Sequence, residues 1–391
     1  MAEKKRQHYV PKFYMRNFAD PNGSFLVYQI SKQKTIGPVP YKSQCYENYF
    51  YGEDGAWENK LGQMEAIWSI AFQNVITKKI CTFDDVQALK QFALYQRQRT
   101  FAENKYRKQE FADIWAELGK TICSNKGFVF NKEAEKKLRE KGQNDWNPSK
   151  NLENANKFLS LINDLNIIIL HYNTKKSLIS SDTPVVAINQ FHAPSIGYSC
   201  MGLILLFPLS PHHLAVLYDS KMYPRFKGVS YAESDDENEV SHLNTLQLIS
   251  AEKILFSAQR ESFVFTESEW EGRKINHERT ALQVLGQEEN KVLILSMRKT
   301  IYKCDLSFGQ VCHRFKRIPF ICKEALPRTW EKKWEEKLKL KAELLTYSSK
   351  VSPKILTENE ISRKELRRGC NRMASAADVY WHQNNAPSPL V

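Results

Sequence analysis

His-Tyr-Val-Pro-Lys-Phe-Tyr-Met-Arg-Asn-Phe occupies residues 8–18, close to an end of the chain, where most proteins carry few special side chains. Its apolar side chains are expected to enter the core, and they are Val10, Phe13, Met15 and Phe18. Four polar side chains stand between them: His8, Tyr14, Arg16 and Asn17. Polar groups held beside a core need hydrogen-bond partners, because unpaired buried groups are costly. The segment therefore predicts either a polar pocket or a satisfied N-terminal turn in which His8 only caps a backbone group.

Two further motifs follow along the chain. Ser-Asp-Thr-Pro-Val occupies residues 181–185, and Pro-Leu-Ser-Pro occupies residues 208–211. Together with the opening motif, in this order and approximate spacing, they resemble the bacterial domain-of-unknown-function family 4238 over about residues 7–260. The resemblance implies no activity, because that family is known as a set of motifs. The function has to be inferred from the residues.

Length and charge bound the class of protein. A chain of 391 residues is long enough for one large or two modest domains. We expect a core domain at residues 1–260 and a basic C-terminal extension at residues 261–391. Fifty-seven Lys and Arg against 44 Asp and Glu give a formal net charge of +13. This favours nucleic acid, RNA before DNA, or a phosphorylated ligand as partner, although many basic proteins bind nothing in particular.

Several classes are excluded or disfavoured. The sequence contains no long apolar run and no apolar segment after its basic start, so we expect neither a secretory signal nor a membrane partner. Its eight cysteines form no close-spaced pair, which is typical of reduced thiols in the cytoplasm. Glycine-rich phosphate loops are absent, which argues against a nucleotide-driven motor.

The first half has helical periodicity. One helix begins near Ala56, and its apolar face carries the carboxylate of Glu65. A second helix is predicted over residues 83–118, with Gln96 and Arg99 continuing its inward face. Glu65 is either an acid/base or ligand group or one half of a buried ion pair. Arg99 can be its partner, or it can clamp a phosphate or carboxylate with its planar fork.

The middle of the chain predicts antiparallel strands. Residues 166–172 and 177–180 are expected to form a hairpin that ends at Ser181 and Asp182. Asp182 is either a functional group on a fixed loop or an Asp turn that bonds its own backbone. Residues 202–207 and 212–218 form a second predicted pair, in which Ser210 serves the corner. The adjacent His212 and His213 make a poor metal chelate, because neighbouring strand residues point to opposite faces.

After these strands the sequence predicts a helix with an acidic start at residues 234–239 and a strand at residues 292–296. Asn244 on that helix faces inward, either as a ligand contact or as a hydrogen bond that specifies the fold. Residues 298–323 carry cysteines and a histidine without zinc-knuckle spacing. Their basic and aromatic side chains predict a nucleic-acid surface or a solvated edge. A charged helix is predicted over residues 330–345.

These patterns predict an α+β fold, with a helical first half packed on a mainly antiparallel sheet from the middle of the chain and a basic C-terminal β/α extension. The leading functional hypothesis is a ribonuclease-like hydrolase, such as a bacterial toxin or phage-defence effector, with His8 as general acid/base. Arg99 and Arg16 would hold the phosphate, and Glu65 or Asp182 would orient His8 or hold a divalent cation such as Mg²⁺. The remaining substrate-binding candidates are Tyr14, Asn17, Gln96, Ser181 and Asn244.

The alternatives are a non-catalytic module that binds nucleic acid or a small anion, and a purely structural polar cluster. Catalysis by His8 requires its ring to lie within hydrogen-bond reach of a carboxylate. It also requires the ring to open to a cleft that Arg99 lines.

Overall fold

The computed structural model describes residues 5–79, 81–189, 197–223, 230–277, 282–288 and 291–296. Its helices are α1 (Lys12–Arg16), α2 (Ala56–Thr77), α3 (Phe83–Gln98), α4 (Phe101–Asn125), α5 (Lys132–Asp145), α6 (Ser149–Phe158), α7 (Glu237–Ser250) and α8 (Glu267–His277). Its strands are β1 (Arg6–His8), β2 (Ser24–Gln29), β3 (Lys34–Pro40), β4 (Tyr46–Asn48), β5 (Asn166–Tyr172), β6 (Ser180–Ser181), β7 (Val186–Asn189), β8 (Leu203–Ser210), β9 (His213–Tyr218), β10 (Tyr231–Ser234), β11 (Ile254–Ser257), β12 (Leu282–Glu288) and β13 (Lys291–Ser296). The α+β class is confirmed, with most helices in the first half of the chain.

Two larger sheets organise the described residues. The five-stranded sheet has the order β10-β5-β9-β8-β7 and is antiparallel except for the β10–β5 pair. The four-stranded sheet has the order β3-β2-β11-β6 and is antiparallel throughout. Strand β1 pairs with β4, and β12 pairs with β13, which contains the strand predicted at residues 292–296. The predicted basic surface, zinc candidates and helix beyond residue 297 lie outside the described residues.

Helices cover both faces of the five-stranded sheet. On one face, α1, α2 and α3 bring Tyr14, Phe72 and Phe92 against Phe207 of β8. The ring centroids of Phe72 and Phe92 are 4.9 Å apart, and those of Phe92 and Phe207 are 5.3 Å apart. Helix α7 covers the other face with Val240, Leu243 and Leu246. The opening motif is thus part of the main core, with Val10, Met15 and Phe18 buried as predicted and Phe13 half-buried.

The single helix predicted over residues 83–118 is wrong. The chain forms α3 and α4 with a corner at Arg99 and Thr100. The Thr100 hydroxyl accepts a hydrogen bond from the Glu103 backbone N–H at 3.1 Å and so caps α4. A threonine that caps a new helix offers the backbone an alternative to continuing the old one. Arg99 therefore lies at a corner between two helices.

The hairpin predicted over residues 166–180 is also wrong. Strand β5 lies between β9 and β10, whereas β6 pairs with β11 in the other sheet. The return segment is bound by Asn244 of α7, whose amide donates to the Ser177 carbonyl and accepts from the Ile179 N–H, both at 2.9 Å. Because this side chain satisfies the backbone, the segment can leave β5. The fold-specifying role considered for Asn244 is the role that the contacts show.

Candidate functional site

The His8 ring is buried, and it serves the fold. Its Nε2 lies 3.1 Å from the Lys42 carbonyl oxygen, to which it donates, and its ring packs beside Tyr46 with centroids 5.5 Å apart. Burial, together with the charges of Lys12 and Arg99, lowers the pKa of His8 to about 4. Within the described residues no carboxylate is hydrogen-bonded to this ring. The geometry that catalysis by His8 requires is therefore not present there.

Arg99 is fully committed to internal contacts. Its side chain is 1% exposed, and Nη1 donates to Glu65 Oε1 at 2.8 Å. Nη2 donates to the His8 carbonyl at 2.6 Å, and Nε donates to the Tyr51 hydroxyl at 3.2 Å. Of the two alternatives for Arg99, the structure shows the ion pair. We call this group, Arg99 with Glu65, Tyr51 and the His8 carbonyl, the Arg99 latch.

Tyr14 and Asn17 join the opening motif to the Pro-Leu-Ser-Pro motif. The Tyr14 hydroxyl donates to the Pro208 carbonyl at 2.8 Å and lies 2.7 Å from Ser180 Oγ. The Asn17 amide donates to the Leu209 carbonyl at 3.0 Å. Both side chains therefore hold α1 against the end of β8.

Gln96 and Arg16, the remaining substrate-binding candidates from the first half of the chain, lie in different environments. Gln96 is buried, and its amide donates to the Tyr9 carbonyl at 2.9 Å. Its Oε1 has no hydrogen-bond partner among the described residues. Arg16 is exposed on α1. Neither side chain is hydrogen-bonded to the His8 ring within the described residues.

Ser181 ends β6, and Asp182 follows it; their side chains contact α7 and the turn before β11. The Asp182 carboxylate accepts from the backbone N–H groups of Glu252 at 2.9 Å and Lys253 at 2.7 Å. Burial raises the pKa of Asp182 to about 6, although these two donors oppose the shift. Ser181 Oγ donates to Gln247 Oε1 at 2.8 Å. Asp182 thus bonds a distant turn, and of the two alternatives the Asp turn that bonds its own backbone is not what the contacts show.

The opening motif nevertheless borders a cavity. It has a volume of about 170 Å³ and lies between α1, α2 and the end of β8. Phe13 and Asn17 line it from α1, Phe72 and Gln73 from α2, and Ser210 from β8. Two of the three sequence motifs therefore meet at this cavity. Among the predicted site residues, Asn17 is the one that reaches it.

A cluster of polar side chains adjoins the cavity at the rim of the five-stranded sheet. In the strand register His213 of β9 stands opposite His171 of β5, and Glu233 of β10 stands beside His171 on its other side. Tyr231 lies two residues before Glu233, so it shares the same face. Lys79, just after α2, closes the group. We call these five residues, His171, His213, Tyr231, Glu233 and Lys79, the rim cluster.

The two histidines of the rim cluster are stacked. Their ring centroids are 4.6 Å apart, and the ring planes differ by 18°. His213 Nδ1 lies 2.9 Å from Ser210 Oγ, and His213 Nε2 lies 3.2 Å from the Tyr231 hydroxyl. Ser210 therefore connects the cluster to the cavity.

Opposite charges flank the histidine pair. Lys79 Nζ lies 3.1 Å from Glu233 Oε1, which is 3.6 Å from His171 Nδ1. The hydrogen bond from Lys79 lowers the pKa of Glu233. Burial lowers the pKa of His213 to about 4, and the neighbouring charges of His171 and Lys79 act in the same direction. His213 is therefore neutral at pH 7 and can accept a proton.

Sequence patterns missed this cluster for a physical reason. Ser210 was assigned to the corner, which is correct, since its Oγ accepts from the His212 N–H at 3.3 Å. The second role of Ser210, and the roles of His171 and Glu233, depend on which strands are neighbours. The parallel β10–β5 pairing follows from tertiary packing, and alternation within one strand does not reveal it.

The described residues contain no group of three or more His, Cys, Asp or Glu side chains arranged to hold a metal ion. The helices that the structure describes include none that is long and apolar enough to cross a membrane.

Fold and site together define an α+β protein in which a buried N-terminal motif closes a small cavity beside a histidine-rich sheet rim. The family model described as "Protein of unknown function (DUF4238)" matches residues 6–261. The chain belongs to this family, which confirms the resemblance of its three motifs. No curated protein matches the chain, and no solved structure does.

Proposed function

We propose that the protein is a nucleic-acid-directed hydrolase that cleaves RNA at the rim cluster. The observation that carries the proposal is the stacked pair of His171 and His213, with Lys79 beside it, at the edge of an open cavity. Histidine is the side chain best suited to move protons near neutral pH, and a lysine ammonium stabilises charge that develops on phosphoryl oxygens. The formal charge of +13 supports an anionic polymer as substrate.

The proposed reaction is an internal transesterification of RNA. Neutral His213 accepts the proton of a ribose 2′-hydroxyl at Nε2, where that hydroxyl takes the place of the Tyr231 hydroxyl, and the ribose oxygen attacks the adjacent phosphorus. The bond from phosphorus to the 5′-oxygen breaks, and His171 gives a proton to that oxygen. Lys79 faces the non-bridging oxygens, and Glu233 orients His171 from 3.6 Å. The products are a 2′,3′-cyclic phosphate and a 5′-hydroxyl, so both protons and both bonds balance.

The substrate class in this scheme is the one expected from the sequence, but different residues catalyse the reaction. The acid/base role passes from His8 to His213 and His171, because His213 lies 2.9 Å from Ser210, which lines the cavity, whereas His8 does not line it. The phosphate contact passes from Arg99 to Lys79, because all three guanidinium nitrogens of Arg99 are engaged.

A second candidate is a binding module without catalysis. The low pKa of His213, about 4, favours it, because a proton acceptor with such a pKa is weak at pH 7. In that case Lys79 and the cavity capture a nucleic-acid strand or a small phosphorylated ligand without cleaving it.

The experiment incubates end-labelled single-stranded RNA, and DNA of the same sequence, with the full chain in Mg²⁺ and in EDTA. We expect cleavage of RNA in both buffers and none of DNA, which lacks the 2′-hydroxyl. His213→Gln should lower the rate by about 10²- to 10⁴-fold, the usual contribution of acid–base catalysis. His242→Gln is the matched control, because His242 is exposed on α7 across the sheet.

Three outcomes are decisive. Intact RNA with measurable RNA binding would establish the binding module. Equal rates for His213→Gln and His242→Gln would end the assignment of the rim cluster. A loss of activity in His8→Gln at unchanged thermal stability would return the chemistry to the opening motif.

The proposal places the protein in the cytoplasm, where RNA is the abundant anionic polymer. The four described cysteines, Cys45, Cys81, Cys123 and Cys200, are free thiols, which agrees with a reducing compartment. A toxin or phage-defence effector is a setting that fits an RNA-cleaving enzyme by analogy only.

A further inference from the structure

The cavity has the size and the wall of a site for one planar ring. Its volume is about 170 Å³, and a cavity of about 150 Å³ in another protein accepts benzene. Phe13 and Phe72 form its aromatic side, with ring centroids 5.4 Å apart and planes at 86°. Ile76 adds apolar surface from α2. A flat, partly apolar ligand fits these walls better than a sugar or a phosphate does.

The polar atoms at the same cavity have unused hydrogen-bond capacity. Asn17 spends Nδ2 on the Leu209 carbonyl, and its Oδ1 has no partner in the part of the chain that the structure describes. Gln73 is exposed on α2, and its side-chain amide likewise has none among those residues. One oriented acceptor and one complete amide are the kind of groups that read the edge of a nucleobase.

The cavity also lies next to the proposed chemistry. Ser210 lines it and lies 2.9 Å from His213 Nδ1. Thr77 lines it as well, two residues before Lys79. A base held in the cavity would thus leave its phosphate near the rim cluster.

We propose that this cavity binds one unpaired nucleobase of the RNA strand, with Phe13 and Phe72 packing on the base and Asn17 and Gln73 contacting its edge. The inference rests on the proposed function for its substrate class. It adds that recognition requires a single-stranded base, so a duplex is a poor ligand.

The test uses fluorescent tetranucleotides of 2′-O-methyl RNA, which cannot undergo the cleavage reaction. Four carry a single type of base, and a fifth has the same backbone without bases. The fluorescence anisotropy of each tetranucleotide, titrated with the full chain, gives its dissociation constant. We expect the best base to bind about 5- to 100-fold more tightly than the abasic backbone, which is the usual contribution of base stacking.

Three variants locate the effect. Ser69→Phe places a ring in the cavity that Ser69 lines, and it should remove the difference between the base-carrying and abasic strands. Gln73→Leu should reduce the differences among the four bases. Gln63→Leu is the matched control, because Gln63 is exposed on the same helix and does not line the cavity. A thermal melt of each variant verifies folding.

The inference is overturned if the wild-type chain binds the abasic backbone as tightly as the best base, or if Ser69→Phe leaves the difference intact. Its failure is separable from that of the proposed function. Base-dependent binding without cleavage of ordinary RNA refutes the hydrolase and supports the base site. Cleavage of RNA with base-independent binding refutes the base site alone.

Discussion

Replacing Arg99 by methionine should destabilise the protein strongly without removing a catalytic group. Arg99 connects β1, α2 and α3 through three hydrogen bonds, one of them an ion pair with Glu65. Removing one partner of a buried ion pair costs about 3–5 kcal/mol. The Glu65 side chain is 25% exposed, so water can solvate its carboxylate after Arg99 is removed. The cost of the unpaired carboxylate is therefore near the lower limit of this range. The variant also loses the hydrogen bonds to the His8 carbonyl and the Tyr51 hydroxyl, which adds to this cost. The expected loss in the free energy of unfolding is about 4 kcal/mol.

The measurement is urea denaturation followed by tryptophan fluorescence, with the free energy of unfolding compared between variants. Arg139→Met is the matched control. Arg139 also contacts two carboxylates, Asp113 and Glu135, but with 36% of its own side chain and 31% and 41% of theirs exposed. Such surface pairs contribute about 1 kcal/mol or less.

If Arg99→Met lowered the free energy of unfolding by less than about 1 kcal/mol, the stabilising role of the Arg99 latch would be refuted, above all if RNA binding fell at the same time. That result would mean that the guanidinium is held for a ligand. Equal losses for Arg99→Met and Arg139→Met would show that burial adds nothing to the stability that the Arg99 latch contributes.

Three further predictions concern stability. Unfolding should become easier as the pH falls from 6 to 4, by up to about 1.4 kcal/mol per pH unit, in urea titrations at several pH values. His8 and His213 have lowered pKa values in the folded state, so unfolding takes up two protons, whereas Asp182, whose pKa is raised, releases one. A free energy of unfolding that rises on acidification would contradict these shifts. Thr100→Ala should cost about 1 kcal/mol through loss of the α4 cap, against no change for an exposed threonine such as Thr77. Asn244→Leu should cost about 2 kcal/mol or more, because the Ser177 carbonyl and the Ile179 N–H lose their partner, and hydrogen exchange should quicken at Ile179.

Local patterns in the sequence predicted much of the framework. The burial of Val10, Met15 and Phe18 follows from their spacing around polar residues. The pairing of β8 with β9 follows from a tight corner rich in proline. These features depend on neighbours along the chain, which the sequence displays directly.

The candidate site depended on contacts that the sequence does not display. Glu65 and Arg99 were predicted to lie on the inward faces of neighbouring helices and to be able to pair, and they do pair. Whether Arg99 makes only internal contacts or faces a cleft depends on the acceptors of its remaining N–H groups. Those acceptors are the Tyr51 hydroxyl and the His8 carbonyl. The rim cluster needed the register of three strands, because His171, His213 and Glu233 become neighbours only across the sheet.

The most direct test of the account is the chemical nature of the RNA ends. Mass spectrometry of a short RNA incubated with the full chain in EDTA should find fragments that end in a 2′,3′-cyclic phosphate, and His213→Gln should form them at least about 100-fold more slowly. Unbroken RNA, or fragments with 5′-phosphate ends formed only when Mg²⁺ is added, would contradict catalysis by the histidine pair.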